Sequence, residues 1–262
     1  MTKEKLTGNQ SLIRGLRLLD ILSDFPNGCP LAKLADISGL NKSTVHRLLQ
    51  GLQSEGYVKP ASTAGSYRLS IKCLSIGQKI LTSMNIINVV SPYLEQLNLT
   101  LGETINFSQR EEDKAIMIYK LEPTHGMLKT RAYIGQHMQL YCSAMGKLYL
   151  AYPKKPDYLL HYWQTHQDVI QQLTKNTITQ LDEMEEELEA IRQNKFAMDK
   201  EENEIGVVCL ACPIFDSFNQ VDYAVSVSMS TYKLKKIGID FFLKEIRKTA
   251  QDISKELGYA EC

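Results

Sequence analysis

Two short amphipathic segments joined by a tight turn, an alternating hairpin behind them, and a long remainder of interleaved strand-like and helix-like stretches predict an α+β chain. The expected parts are an N-terminal winged helix-turn-helix over residues 1–72, a linker helix over 73–85, and a larger domain with a mainly antiparallel sheet over 86–262. At 262 residues, 44% of them hydrophobic, the chain can bury two cores.

The first helix is expected over residues 10–23, with Leu12, Leu16, Leu19 and Leu22 as its core stripe and Leu18 and Ile21 off it; the surplus apolar surface reads as a core edge or, second, as a dimer contact. Leu31, Leu34, Ala35 and Ile37 mark the next helix. Pro30 suits its first turn, and Gly39 can end it in the left-handed region. In the third helix Asn41 is the N-cap and Val45, Leu48, Leu49 and Leu52 form the buried face. Lys42, Ser43, Thr44, His46, Arg47 and Gln50 remain outside, and these groups reach phosphates and base edges. Any amphipathic helix has a polar outer face, so the hairpin that follows decides the reading: Tyr57 and Val58 lead to a polar turn, then Ser66 to Ser70 alternate and put Arg68 where a wing would meet phosphate.

Charge points the same way. Residues 1–72 hold ten Lys and Arg against five Asp and Glu, and the remainder carries the opposite excess within a net charge of zero. No 18-residue apolar run and no secretory leader in MTKEKLTGNQ are found, so the expected location is the cytoplasm. The six cysteines, at 29, 73, 142, 209, 212 and 262, lack disulfide-framework spacing, as expected of reduced thiols.

Residues 71–83 read as a helix, and Val89, Leu94 and Leu97 as a further one. Strands are expected at 104–109 and 115–121 around an acidic turn at 111–114, then at 127–134, 205–215 and 221–229. Helices are expected from Gly146, through Leu181, Met184, Leu188 and Ile191, and at about 238–257 with Phe241, Phe242, Ile246 and Ile253 buried. The carboxylates of the 181–191 helix, Glu187 among them, read as a solvated face.

On the last two strands, period-two alternation puts Ala224, Ser226 and Ser228 on one face and Val207, Cys209 and Ala211 on another. If these faces adjoin they line a concavity suited to a small polar ligand; equally, small residues let a helix pack closely. Catalytic motifs are absent or incomplete: there is no GxSxG or HExxH, Tyr141 stands where a phosphate loop needs glycine, and strand geometry sends Cys209 and Cys212 to opposite faces. The expected class is a regulator rather than an enzyme. The competing class is an enzyme using Asp199 with Cys209 or Cys142 on a carbonyl substrate.

GLNKSTVHRLLQGLQSEGYV with the wing SYRLS, IGQHMQLYCSAMGKLYLA, and MDKEENEIGVVCLACPIFD followed by YAVSVSMS together resemble the IclR family of bacterial transcriptional regulators over essentially the whole chain. The resemblance implies a GAF-like effector domain, double-stranded operator DNA as partner, homodimers that can pair into tetramers, and no metal or other cofactor. It also implies effector contacts at Ala144, Met145, Asp199, Val207, Cys209, Ser226 and Ser228. Some relatives carry His-Ala-Ser-Gly where this chain has Tyr141-Cys142-Ser143-Ala144, which reshapes one pocket wall. NGCPLAKL, GETINFSQRE and TRAYIGQHM are similar to members that repress sugar-acid and pentose catabolism, such as that of 2,3-diketo-L-gulonate and L-lyxose.

Overall fold

The computed structural model describes residues 9–83, 85–111, 114–125 and 130–260, with residues 80–83 and 85 described by their backbone alone. The chain forms two compact units, 1–84 and 85–262.

In the first unit α1 (Gln10–Ser23), β1 (Cys29–Pro30), α2 (Leu31–Ser38), α3 (Lys42–Ser54), β2 (Val58–Pro60), β3 (Ser66–Leu69) and α4 (Ile71–Ser83) follow in order. The hairpin is wider than expected, because β1 adds to it and makes a three-stranded antiparallel sheet in the order β1-β3-β2. Asn41 caps α3 by accepting from the Thr44 N–H at 2.8 Å, and Gly39 ends α2 at φ 67°. Pro30 precedes α2 in an extended conformation instead of occupying its first turn.

The buried stripe of α1 differs from expectation. Gly15, Leu18 and Leu22 face the core, whereas Leu12 and Leu16 are 60% and 52% exposed. Both stripes have helical spacing, and the contacts of α1 with α2, α3 and β3 select between them. Ile37 is likewise half exposed, leaving Leu34 and Ala35 as the buried residues of α2.

The second unit begins with α5 (Asn85–Leu101), β4 (Thr104–Glu111), β5 (Lys114–Leu121), β6 (His137–Met138), α6 (Ala144–Ala151) and α7 (Tyr158–Thr165). It continues with α8 (Leu181–Asn194), β7 (Ala197–Lys200), β8 (Val207–Phe215), β9 (Val221–Ser230), α9 (Thr231–Ile237) and α10 (Ile239–Glu256). Its six strands pair antiparallel in the order β6-β5-β4-β9-β8-β7. α6 packs on one face of the sheet with α8 behind it, and α5 and α10 pack on the other. No helix among the described residues is long and apolar enough to cross a membrane.

Several expectations for this unit are corrected. Of the strand expected at 127–134, residues 127–129 lie outside the described residues and 130–134 are irregular; the edge strand is β6. The Lys120 ammonium takes the Thr130 and Ala132 carbonyls at 3.2 and 2.9 Å, and Gly135 at φ 90° turns the chain before pairing resumes. The centre of the acidic turn, residues 112 and 113, also lies outside the described residues. Asp199 is on a strand, β7, that ends in the expected turn. Phe241 is 42% exposed, because the buried face of α10 runs through Phe242, Ile246, Ala250 and Ile253 and Phe241 sits one step off it.

Candidate functional site

α3 presents Lys42, Ser43, His46, Arg47 and Gln50 fully outward, with Thr44 half-buried. Ser43 is tied to the cap, donating to Asn41 Oδ1 at 2.9 Å, so of its hydroxyl only the oxygen lone pairs remain available. On the hairpin Arg68 is half-buried, stands opposite Lys59, and has a buried Nε without a protein partner.

The second site is built on the sheet. Register brings Cys209 opposite Ser228 and Ala211 opposite Ser226, and on the other side of β9 brings Asn106 opposite Ser226 and Thr104 opposite Ser228. The small-residue faces of β8 and β9 therefore adjoin, and both readings of them hold on different stretches. At Ala211 and Ala224 α6 packs closely, with Tyr149 Oη 2.8 Å from Ser108 Oγ. At Cys209, Ser226 and Ser228 the sheet opens into a cavity of about 480 Å³. Ala144, Met145, Asp199, Val207, Cys209, Ser226 and Ser228 all line it. So do residues the sequence reading missed, notably Asn106, Thr130, Arg131, His137, Asn203 and Glu204. Thr104, Asn106 and Ser108 alternate as 224, 226 and 228 do, and that signal could have found Asn106.

Asp199 both lines the cavity and caps the turn beyond β7, accepting from the Glu202 N–H at 2.7 Å and the Asn203 N–H at 3.4 Å. Burial pushes its carboxyl up to about 7, with the neighbouring Glu202 adding to the rise against those hydrogen bonds and Lys147. Burial, with the Asp199 carboxylate adding to it, likewise pushes the Cys142 and Cys209 thiols up to about 12. A nucleophilic cysteine needs the opposite shift, so neither thiol is set up for the alternative carbonyl chemistry.

A buried ion cluster supports the walls. Lys147 of α6 has a fully buried side chain whose Nζ lies 2.7 Å from Glu202 and 2.8 Å from Glu187 of α8. Glu187 thus leaves the otherwise solvated acidic face of α8. Burial alone would raise its carboxyl, but the ammonium groups of Lys147 and Lys200 hold it below the ordinary glutamate value. Its contribution to stability is present at neutral pH and is lost as pH falls through that lowered value. At the far end of α6, buried Arg110 donates to the carbonyls of Tyr149 and Tyr152 at 3.1 and 2.7 Å, neutralising the helix C-terminus.

Comparison with known proteins finds a family model on each of two stretches of the chain. The model of the IclR helix-turn-helix domain matches residues 11–61, and that of the bacterial transcriptional regulator IclR C-terminal domain matches residues 78–255. The chain is 75% identical to an uncharacterized HTH-type transcriptional regulator of Haemophilus influenzae, covering 99% of this chain and 97% of that one. It is 62% identical to the DNA-binding transcriptional repressor YiaJ of Escherichia coli K12, over 98% and 91% of the two chains. The crystal structure of the Thermotoga maritima IclR protein superposes with a TM-score of 0.73 at 26% identity, covering 95% of this chain and 99% of that one. The chain belongs to the IclR family of bacterial transcriptional regulators and is a regulator, not an enzyme.

Proposed function

We propose that this IclR-family transcriptional repressor binds double-stranded operator DNA as a homodimer through α3 and the β2–β3 wing, and that a sugar acid in the sheet cavity changes that affinity. The target is a sugar-acid or pentose catabolic operon of the 2,3-diketo-L-gulonate and L-lyxose type, regulated in the cytoplasm. One observation carries the reading: seven residues spread over α6, β7, β8 and β9, taken from the family resemblance, line a single cavity. Its hydroxyl, amide and carboxyl groups suit a ligand rich in hydroxyls. The repressor reading is supported by YiaJ, and the operon by the similarity carried in NGCPLAKL, GETINFSQRE and TRAYIGQHM.

The size of a recognition helix supports the homodimer. One recognition helix spans a few base pairs, so specific binding needs a second about one helical turn, or a multiple of it, away. Exposed Leu12 and Leu16 of α1 and Ile71 and Leu74 of α4 supply apolar surface for such pairing, and tetramers would form from dimers. Lys42, Ser43, Thr44, His46, Arg47, Gln50 and Arg68 are the proposed DNA contacts.

Arg47→Ala tests the DNA face. Its side chain is exposed on α3, so the fold should survive while promoter affinity falls by about 1–3 kcal/mol. Fluorescence anisotropy on a labelled fragment of the promoter beside the gene, at fixed salt, reads the change. Undiminished affinity would remove α3 as the reading helix.

A further inference from the structure

Asn106 lies on β4, 3% exposed, in the floor of the cavity. Its Nδ2 donates to Ser228 Oγ at 3.0 Å and to Ser226 Oγ at 3.3 Å, while its Oδ1 is buried with no protein partner. This arrangement orients the serines. Each hydroxyl oxygen accepts from the amide, which leaves its own hydrogen for another partner; between Ser228 Oγ and Cys209 Sγ, 3.1 Å apart, either atom can be the donor. The floor therefore offers one acceptor, the Ser226 hydrogen as a donor and, where the Cys209 thiol gives its hydrogen to Ser228, the Ser228 hydrogen as a second. A hydroxyl can give its hydrogen to Asn106 and accept from a serine, and an adjacent carbonyl or second hydroxyl can accept from the other. An oxo acid without hydroxyls presents acceptors only and leaves Oδ1 buried and unpaired.

We propose that Asn106 is the specificity-determining residue of the cavity, selecting an effector with a hydroxyl beside a carbonyl or a second hydroxyl over an oxo acid that has none. This rests on the reading of the cavity as the effector site. Thr130 Oγ1, also orphaned and in the lining among the described residues, offers a second hydroxyl partner beside Arg131, an exposed lining residue whose positive charge suits the acid group.

The test is calorimetric titration of the full chain with two six-carbon acids, L-gulonate, hydroxylated along its length, and 2-oxohexanoate, which has no hydroxyl. The wild-type chain should bind L-gulonate more tightly by on the order of tenfold to a hundredfold, the factor set by one unpaired buried acceptor. Asn106→Leu should remove most of that preference by weakening L-gulonate and leaving 2-oxohexanoate unchanged. If the leucine variant does not fold by circular dichroism, Asn106→Ala takes its place with the same expectation. A wild-type chain that binds neither acid, or prefers 2-oxohexanoate, overturns the proposal, as does a preference that survives either substitution. A parallel titration of Ser226→Ala/Ser228→Ala separates the two levels. If L-gulonate binds that variant normally, the cavity is not the effector site and the proposal falls with it. If the serine variant loses L-gulonate while Asn106→Leu keeps the preference, the role of Asn106 alone is wrong.

Discussion

Lys147→Met is expected to destabilise the C-terminal unit by about 3–5 kcal/mol, the cost of removing one partner from a buried ionic group. Methionine matches the length of the lysine stem, so little packing is lost; the penalty comes from Glu202, whose side chain is 2% exposed and is left without a cation, while Glu187, 17% exposed, keeps only the exposed Lys200 ammonium at 3.4 Å. Glu202 Oε2 already lacks a partner, and the remaining cation, Lys200, pairs with Glu187 from an exposed position. Trp163, the single tryptophan, lies in the same core as α6 and α8, so its fluorescence in a urea titration reports this unit alone. A midpoint within error of wild type would mean that the cluster is solvated and does not brace the cavity walls.

Gly146→Ala, one residue earlier, should also be costly, although alanine gains about 1 kcal/mol of helix propensity over glycine. A methyl group there would sit 2.5 Å from Leu140 Cα, 2.6 Å from Leu140 O and 2.5 Å from Ser143 Oγ. Two of these atoms are backbone and cannot swing away. The third belongs to the N-cap, which accepts from the Gly146 N–H at 3.1 Å, so relief by moving it also breaks the cap. Overpacking of this kind costs about 1–3 kcal/mol or more, and loss of the cap about 1 more. The net expectation is a loss of about 2 kcal/mol or more, seen as a lower melting temperature of Trp163 fluorescence. An unchanged or higher melting temperature would show that α6 can lift off residue 140.

What could be read in the sequence followed local periodicity and capping. Asn41, Gly39 and the alternation at 224–228 each encode their geometry within a few residues, and the third helix and the small-residue strand face came out as expected. Choices made between elements could not be read this way. The core stripe of α1 depends on its partner helices, the third strand of the wing on pairing between residues 29 and 67, and the partners of Lys147 lie 40 and 55 residues along the chain. Asn106 joins the site only through the register of β4 on β9, which places it opposite Ser226 and which β4 does not encode by itself. Phe241 is as hydrophobic as Phe242, and only its angular position on α10 leaves it exposed.

In the proposed function the cavity governs operator affinity. A ligand can shift a two-state regulator only through its differential affinity for the two states, so losing the ligand contacts must also lose the release from DNA. The most direct measurement is fluorescence anisotropy of the promoter fragment bound by Ser226→Ala/Ser228→Ala and by wild type, titrated with 2,3-diketo-L-gulonate and then a panel of sugar acids. Both chains should bind the fragment equally without ligand, and an acid that shifts the wild-type curve should leave the curve of the serine variant in place. A serine variant that responds to that acid as wild type does would show that the cavity does not control DNA binding.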